Sequence, residues 1–246
     1  MSADILIRKC TKIEEFHRCV EIQREVWGEA DLEVEPYVTF VVSAQTGGQI
    51  IGAFDGDEMI GFTLAMVGIR DNIPYLHSHM TGVLTSHRGR GVGRLLKLFQ
   101  REEALHRGIR RVEWTFDPLE TRNAHLNFNR LGAISRHFIP NFYGLTTSPL
   151  HRGLPTDRLL VEWHLDSKRV IAAINELTRD PSDSPAIIHL PGELKQWEKD
   201  QPELVLETQT RVRNEFIELF SKGYAATAVR FTSSGADYCL APWSDF

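Results

Sequence analysis

The sequence has few cysteines, no long apolar run and no excess of positive charge. The three cysteines are odd in number and lack Cys-x-x-Cys spacing, so Cys10, Cys19 and Cys239 predict neither a disulfide framework nor a zinc site. A net charge of −5 argues against a broad nucleic-acid surface. No apolar run is long enough to cross a bilayer, and charges near the amino terminus interrupt any secretory signal. We therefore expect a cytoplasmic protein with no metal, membrane or nucleic-acid partner.

Apolar periodicity predicts a mixed α/β fold, with a first domain over residues 1–166. The chain opens with a strand, a helix and two strands. Thr11 and Glu14 match a capping box at the helix start, Asp55-Gly56 predicts a hairpin turn, and Asn72-Ile73-Pro74 predicts a break before the next strand. The remaining predicted elements are strand 77–84, a helix over 92–108, strand 112–116, helix 122–131, and strands 133–139 and 159–165.

The most informative motif is Arg88-Gly89-Arg90-Gly91-Val92-Gly93, which lies between an apolar strand, residues 80–84, and an amphipathic helix. A strand that turns through glycines into a helix presents unpaired backbone N–H groups at the positive end of the helix dipole, which favours a phosphate. The spacing lacks the third glycine of a dinucleotide-binding fingerprint and the Gly-Lys-Ser/Thr end of a Walker loop. An ordinary glycine-rich turn is the alternative.

Four cations recur at steps of four, three and four residues, and so share one stripe of the predicted helix: Arg90, Arg94, Lys97 and Arg101. A solvated helix face is the common fate of such charges. Because the stripe begins at the glycine turn, we expect Arg90 and Arg94, together with Arg88, to neutralise phosphate charge. For Lys97 and Arg101 the solvated face is the prediction.

A polar loop at residues 178–185 lies within the last part of the chain, and residues 167–246 are predicted to form a C-terminal α/β extension. Its predicted elements are strand 186–190, helix 208–221, and strands 224–231 and 237–240. This order repeats the second half of the first domain and favours a degenerate half-repeat that adds to the sheet or covers its edge. An unrelated appendage is the alternative. Because the extension has no second glycine turn of this kind, we expect a single ligand site.

The spacing Arg-x-x-Gly-x-Gly, preceded by Thr81-Gly82-Val83-Leu84, resembles motif A of the GNAT acyl-CoA N-acyltransferases. The resemblance implies the GNAT fold, a central twisted mixed sheet flanked by helices. It also implies that the pyrophosphate of acetyl-CoA or another acyl-CoA, succinyl-CoA included, binds the turn, with the pantetheine along the strand. Free backbone N–H groups of Val83 and Leu84 would then stabilise the oxyanion and hydrogen-bond the pantetheine amides. The residues assigned to the pyrophosphate are Arg88, Gly89, Arg90, Gly91, Val92, Gly93 and Arg94.

Two histidines are candidates for the base that takes a proton from the attacking amine. His77 and His79 are two residues apart on one predicted strand and therefore project from the same face. His77 matches a position where some GNAT enzymes carry a glutamate base, and an imidazole is largely neutral at pH 7. A hydrogen-bonded structural histidine is the alternative, and a metal pair is not expected because no Cys or carboxylate lies at a recognisable ligand spacing.

The general acid is the point at which the sequence departs from the family. Many GNAT enzymes carry a tyrosine in the helix after the fifth strand, in a pattern that Ala124 and Gly132 match, but Phe128 occupies the tyrosine position. Phenylalanine cannot donate a proton, so either the thiolate leaves unassisted or another residue acts, for which Tyr143 is the candidate. Tyr143 packed under a loop is the alternative. We place Asn123, Asn127 and Phe128 beside the pantetheine, although both asparagines could instead cap local backbone.

Five longer segments are similar to a GNAT subgroup associated with N-acylamino-acid racemases of the enolase superfamily. They are residues 77–80, 88–93, 114–124, 141–144 and 153–158. The resemblance implies that an acetyl or succinyl group is transferred to the amine of a small molecule such as an amino acid. The carboxylate of that acceptor would bind an arginine, for which Arg122 and Arg158 are candidates.

The predicted reaction is direct attack of the amine on the thioester in a ternary complex, because no cysteine lies beside a plausible base in the recognised motifs. Two alternatives stay open. Phe128 in the tyrosine position favours a non-catalytic module that binds or senses coenzyme A. An acidic groove at residues 31–35 would favour a protein or peptide N-acetyltransferase. The assembly state is open, a homodimer included.

Overall fold

The computed structural model describes residues 5–28, 34–144, 153–177 and 184–243. The chain divides into two compact units, Met1–Trp114 with Thr147–Arg152 and Thr115–Thr146 with Gly153–Phe246. The predicted domain boundary at residue 166 does not follow this division and stays a prediction. Most of the predicted polar loop at 178–185, and residues 31–33 of the predicted acidic groove, lie outside the described residues.

The first unit holds five strands in the order β1-β2-β3-β4-β5. Strands β1 to β4 pair antiparallel, whereas β4 and β5 pair parallel. The elements are β1 Leu6–Lys9, α1 Ile13–Trp27, α2 Tyr37–Gln45, β2 Gln49–Asp55, β3 Glu58–Arg70, β4 Ile73–Val83, a 3-10 turn at Thr85–His87, α3 Val92–His106 and β5 Arg111–Phe116. The chain enters the second unit within β5, after Trp114. The sequence did not predict α2.

The start of α1 lies one residue later than the capping box predicted. The carboxylate of Glu15, not Glu14, accepts hydrogen bonds from the backbone N–H groups of Thr11 and Lys12, at 2.8 and 3.1 Å. The helix therefore begins at Ile13. Ile13 is exposed, whereas Phe16 lies on the face of α1 that joins the core.

The turn between β3 and β4 also differs from the prediction. Asp71 and Asn72 both have positive φ angles, 52° and 62°, as a two-residue type I′ hairpin turn requires. As a result β4 begins at Ile73, and Pro74 lies inside the strand opposite Ile69. The predicted break at Asn72-Ile73-Pro74 is therefore a tight turn followed directly by a strand, since asparagine and aspartate tolerate this backbone conformation.

An apolar cluster around β2 and β3 forms the core of the first unit. Its members include Phe16, Ile22, Phe40, Ile51, Phe62, Leu64 and Leu96. Rings from α2 and β3 meet there, with the centroids of Phe40 and Phe62 5.8 Å apart. Because the cluster includes residues of α3, it also anchors the helix that follows the glycine turn.

The second unit begins with the last residues of β5. Its other strands lie in the sheet in the order β7-β6-β9-β10-β8. Its further elements are α4 Thr121–His125, a π-helical turn Leu126–Arg130, β6 Ile134–Ile139, β7 Arg158–His164, α5 Lys168–Ile174, β8 Ala186–Pro191, α6 Leu194–Asp200, α7 Pro202–Ser221, β9 Tyr224–Thr232 and β10 Gly235–Pro242. The sequence did not predict α5 or α6, and α7 begins at Pro202 instead of residue 208. Across the described ranges, no helix combines the length and the apolar character needed to cross a membrane.

The C-terminal strands pair with β6. Ser135 of β6 lies opposite Ala226 of β9 in antiparallel register, and β9 and β8 then flank β10. The buried ring of Tyr238 lies between Phe128 and Phe216, at centroid distances of 6.2 and 5.1 Å. The interpretation of this extension as a degenerate half-repeat stays a prediction.

Candidate active site

The glycine turn leads directly into α3. Gly89 and Gly91 have φ angles of 78° and 80°, which residues with a Cβ rarely adopt, and Gly91 is the N-cap of the helix. Gly93 has an ordinary backbone conformation, and a Cβ added there would meet no protein atom within 4 Å. Packing within the protein therefore gives no reason for glycine at this position. The first-turn N–H groups of α3 lack intrahelical acceptors, so the turn offers space and donors to an anion.

The strand before the turn has an open edge. β4 and β5 pair only at Leu76–Val112 and His77–Glu113, although every residue from there to Val83 is described. Leu84 N–H donates to the Ile60 carbonyl of β3 at 2.9 Å, so the prediction that Leu84 offers a free N–H is wrong. Because successive N–H groups of a strand point to opposite edges, that of Val83 points away from β3.

The arginines of the turn contact protein oxygens. The guanidinium of Arg88 donates to the carbonyls of Val83 and Val26, at 3.2 and 3.4 Å. Arg90 lies 3.6 Å from a carboxylate oxygen of Asp55. Both arginines are exposed, and an exposed ion pair such as that of Arg90 contributes little to stability, so an anion can compete with Asp55 for this guanidinium.

The two histidines lie where the ladder between β3 and β4 is irregular. Ser78 pairs with Ala65 and Met80 with Leu64, so His79 is an extra residue in a β-bulge. The ring centroids of His77 and His79 are 6.3 Å apart. Nε2 of His79 lies 3.3 Å from Oε1 of Glu35, and this hydrogen bond lowers the pKa of the Glu35 carboxyl. Glu35 was predicted to lie in an acidic groove, but its contact with a histidine was not predicted.

His77 is held in the neutral form. Burial, followed by the positive charges of His79, Lys97 and Arg70, lowers its pKa to about 4. An imidazole with so low a pKa is a weak acceptor for the proton of an alkylammonium group. The structure therefore gives His77 and His79 different electrostatic environments, which their shared strand did not predict.

Lys97 is buried, and its predicted place on a solvated stripe is wrong. It shares a buried helical stripe with Gln100 and Ala104, at steps of three and four residues, and is 5% exposed. Nζ donates to Ser78 Oγ at 2.7 Å and to Gln100 Oε1 at 3.2 Å, and lies 4.0 Å from the ring centroid of Trp114. Burial lowers the pKa of the ammonium to about 7. The spacing of Lys97 to Gln100 and Ala104 was the missed signal.

In the second unit, Tyr143 and Arg158 come together. The centre of the Arg158 guanidinium lies 5.3 Å from the ring centroid of Tyr143, and the Tyr143 hydroxyl lies 3.4 Å from Thr115 Oγ1. Tyr143 is half exposed, whereas Arg158 is nearly buried. The loop that carries Tyr143 is fixed by Asn141 and Thr156, since Thr156 Oγ1 accepts from the Tyr143 N–H at 2.8 Å.

The other predicted residues of the second unit differ in exposure. Arg122 and Asn123 are exposed on α4, whereas Asn127 is buried in the π-helical turn, so the two asparagines do not share one environment. Phe128 is fully buried, with its ring edge-to-face against Phe116 at 5.9 Å. The contact of Phe128 with a coenzyme stays a prediction. The full burial of its ring does not support this contact. Among the described residues, no three His, Cys, Asp or Glu side chains are arranged to hold a metal ion.

Comparison with known proteins gives the family. The acetyltransferase (GNAT) family matches residues 11–133, half of the chain. The chain belongs to the GNAT acetyltransferase family. The match runs from the start of α1 through the glycine turn to the end of the π-helical turn, so it contains both histidines and Lys97. No curated protein sequence matches the chain.

Solved GNAT structures share the fold at low sequence identity. The ribosomal-protein-S18-alanine N-acetyltransferase from Escherichia coli has a TM-score of 0.53 and 13% identity, over 66% of this chain and 95% of that one. Arabidopsis thaliana NAA60 in complex with acetyl-CoA has a TM-score of 0.53 and 16% identity, over 65% of this chain and 99% of that one. A GNAT acetyltransferase from Streptococcus pneumoniae has a TM-score of 0.51 and 16% identity, over 65% of this chain and 98% of that one. The predicted GNAT fold is thus confirmed.

Proposed function

We propose that this GNAT protein transfers an acetyl or succinyl group from coenzyme A to the amine of a small molecule. The resemblance to the subgroup described above supports an amino acid as this acceptor. The main support is the open glycine turn at the start of α3, directly after the open edge of β4. The space beside Gly93 has no role in packing within the protein, and the turn combines donors with the positive end of a helix dipole.

The coenzyme would bind in two parts. Its pyrophosphate would accept hydrogen bonds from the backbone of the turn, with charge from Arg88, Arg90 and Arg94. Its pantetheine arm would lie along β4 between Ser78 and Val83 and hydrogen-bond the free edge in the manner of an added strand. The backbone N–H groups of this edge would also stabilise the oxyanion that forms at the thioester carbon.

The proton of the attacking amine would pass to the pair of His79 and Glu35. The carboxylate of Glu35 contacts and orients the His79 ring, whereas burial opposes a charge on His77. The amine nitrogen then bonds to the acyl carbon, the carbon–sulfur bond breaks, and the imidazole holds the released proton. In this scheme His77 is a neutral neighbour that lines the acceptor side.

The acceptor's carboxylate would be bound by an arginine, Arg122 or Arg158. Arg122 is exposed on α4, and Arg158 stacks beside Tyr143. A guanidinium offers two parallel N–H donors to a carboxylate, which selects acceptors that carry both an amine and an acid. Cytoplasmic residence would supply both acyl-CoA and free amino acids.

The test is release of free thiol from acetyl-CoA or succinyl-CoA with a panel of amino acids, amines and a short peptide with a free α-amine. Turnover of a small amine above hydrolysis supports the proposal, and the preferred acyl donor identifies the group. Turnover of the peptide alone would instead indicate a protein N-acetyltransferase. Coenzyme binding in calorimetry without turnover would indicate a sensing module. Light scattering of the same samples tells a monomer from a homodimer.

A further inference from the structure

A buried lysine and a serine lie together where β4 and β5 part. Lys97 Nζ donates to Ser78 Oγ at 2.7 Å, and among the described residues no carboxylate pairs with this ammonium. Gln100 accepts its second hydrogen bond, and Trp114 offers its ring face at 4.0 Å. A buried cation without an anionic partner is costly, so a function is the expected reason for its presence.

The place of this pair in the sheet is specific. His77 and Glu113 form the last parallel pair of β4 and β5, so Ser78 and Trp114 are the first residues beyond it. The glycine turn lies at the far end of the open edge, after Val83. Five residues of strand span about 17 Å, comparable to an extended pantetheine arm. A coenzyme with its pyrophosphate on the turn therefore brings its sulfur to the end at which Ser78 and Lys97 meet.

We propose that Ser78 and Lys97 return a proton to the departing coenzyme A thiolate, in a chain that lacks the usual tyrosine. The hydroxyl of Ser78 donates its proton to the thiolate sulfur as the carbon–sulfur bond breaks, and the ammonium of Lys97 gives a proton to Ser78 Oγ. Lys97 is left neutral and regains a proton from water before the next cycle. This inference presupposes the acyl transfer proposed above.

The hydrogen bonds at Ser78 suit this role. Lys97 donates to the serine oxygen, so the hydroxyl hydrogen of Ser78 remains for another acceptor. Thr63 is a poor competitor for this hydrogen, since its hydroxyl lies 3.5 Å from Ser78 Oγ, beyond the usual length of an O–H···O hydrogen bond. Phe128 stands in the tyrosine position and has no proton to give.

The charge state of Lys97 suits the same role at neutral pH. With its pKa lowered to about 7 by burial, both the ammonium and the free amine are populated, as an acid that is recharged in each cycle requires. The titratable groups on the strands beside it are His77, whose pKa Lys97 helps to lower, and Glu113. The carboxylate of Glu113 is held by Arg70 at 2.7 Å and Arg111 at 2.5 Å.

The first test is kcat as a function of pH for the whole protein and its variants. We expect Lys97→Met and Ser78→Ala to lower kcat about 100-fold, with KM for acyl-CoA little changed. The wild type should lose kcat as pH rises through about 7 and the ammonium is lost, and Lys97→Met should lack this alkaline limb. Ser78→Thr, which keeps a hydroxyl, should restore turnover, and Arg101→Met on the same helix should behave as wild type.

The second test needs no acceptor. Thiolate absorbance of bound coenzyme A gives the pKa of its thiol, which we expect to lie below the free value in wild type and to rise in Lys97→Met and Ser78→Ala. Folded variants with wild-type kcat, pH profile and thiol pKa would overturn the inference and leave the transferase intact. A lowered thiol pKa without turnover of any amine would support the pair while removing the proposed function. If Lys97→Met does not fold, Ser78→Ala decides alone.

Discussion

Asp157 holds Arg213 through two parallel hydrogen bonds, at 2.8 and 2.9 Å, and the carboxylate is fully buried. The same carboxylate accepts from the backbone N–H of Asn141 at 3.0 Å. Helix α7, which carries Arg213, thereby fixes the loop that carries Tyr143. The helix thus supports a loop that is predicted to carry a catalytic residue.

We expect Arg213→Ala to lower the free energy of unfolding by about 3–5 kcal/mol, because it leaves a buried carboxylate without its cation. Urea denaturation measures this loss. Lys222→Ala is the matched control at the end of the same helix: its pair with Glu218 is exposed, so its removal should leave the free energy of unfolding nearly unchanged. Equal effects of the two changes would show that the buried pair adds nothing.

Gly93→Ala should weaken coenzyme A binding at least tenfold while leaving the fold intact. The added methyl meets no protein atom within 4 Å, and alanine favours the helix by about 0.5–1 kcal/mol. A more stable protein that binds less coenzyme would show that the space serves the ligand. Isothermal titration calorimetry with coenzyme A measures the affinity, and Glu102→Ala on the exposed side of α3 is the control. Unchanged affinity in Gly93→Ala would place the pyrophosphate elsewhere.

His77 should make the protein sensitive to acid. Its pKa is lowered to about 4 in the folded state, below its ordinary value of about 6.5, so the unfolded chain binds the proton more readily. Stability should therefore fall as pH drops from about 6.5 to 4, and His77→Gln should show a shallower fall. Urea midpoints at several pH values measure both slopes. Parallel slopes for the two proteins would mean that His77 stays protonatable when folded.

Phe128→Tyr restores the tyrosine of the family pattern but should not raise kcat. The ring is fully buried between Phe116 and Tyr238, so the new hydroxyl has no water to contact and costs about 1–3 kcal/mol. Thermal unfolding and the thiol-release assay measure the two effects. A clear gain in kcat would mean that this ring reaches the thiolate, against the role proposed for Ser78.

Local signals in the sequence predicted much of the first unit. The glycine turn, the strand before it and the amphipathic helix after it follow from spacing alone, because positive φ angles and helical periodicity leave direct marks on residue choice. The turn at Asp71-Asn72 and the start of α1 were missed by one or a few residues. Competing cap and turn residues stand side by side there, and only tertiary packing selects between them.

The electrostatics of the site could not be predicted in this way. The spacing of Lys97 to Gln100 and Ala104 marks a buried stripe, but only the packing of α3 on β4 shows that Lys97 meets Ser78. The contact between His79 and Glu35 joins residues 44 apart in the chain, so no local pattern marks it. The burial of Phe128 likewise depends on Tyr238, a strand residue more than one hundred positions away.

The bulge in β4 has a consequence for how this strand is built. Ser78 and Met80 oppose the neighbouring residues Ala65 and Leu64, so a chain shortened by His79 alone could keep every other cross-strand partner. The ladder has no need of this residue, and an uninterrupted hairpin would be the simpler construction. The bulge places the imidazole of His79 beside Glu35. The strand loses regular hydrogen bonding at this point.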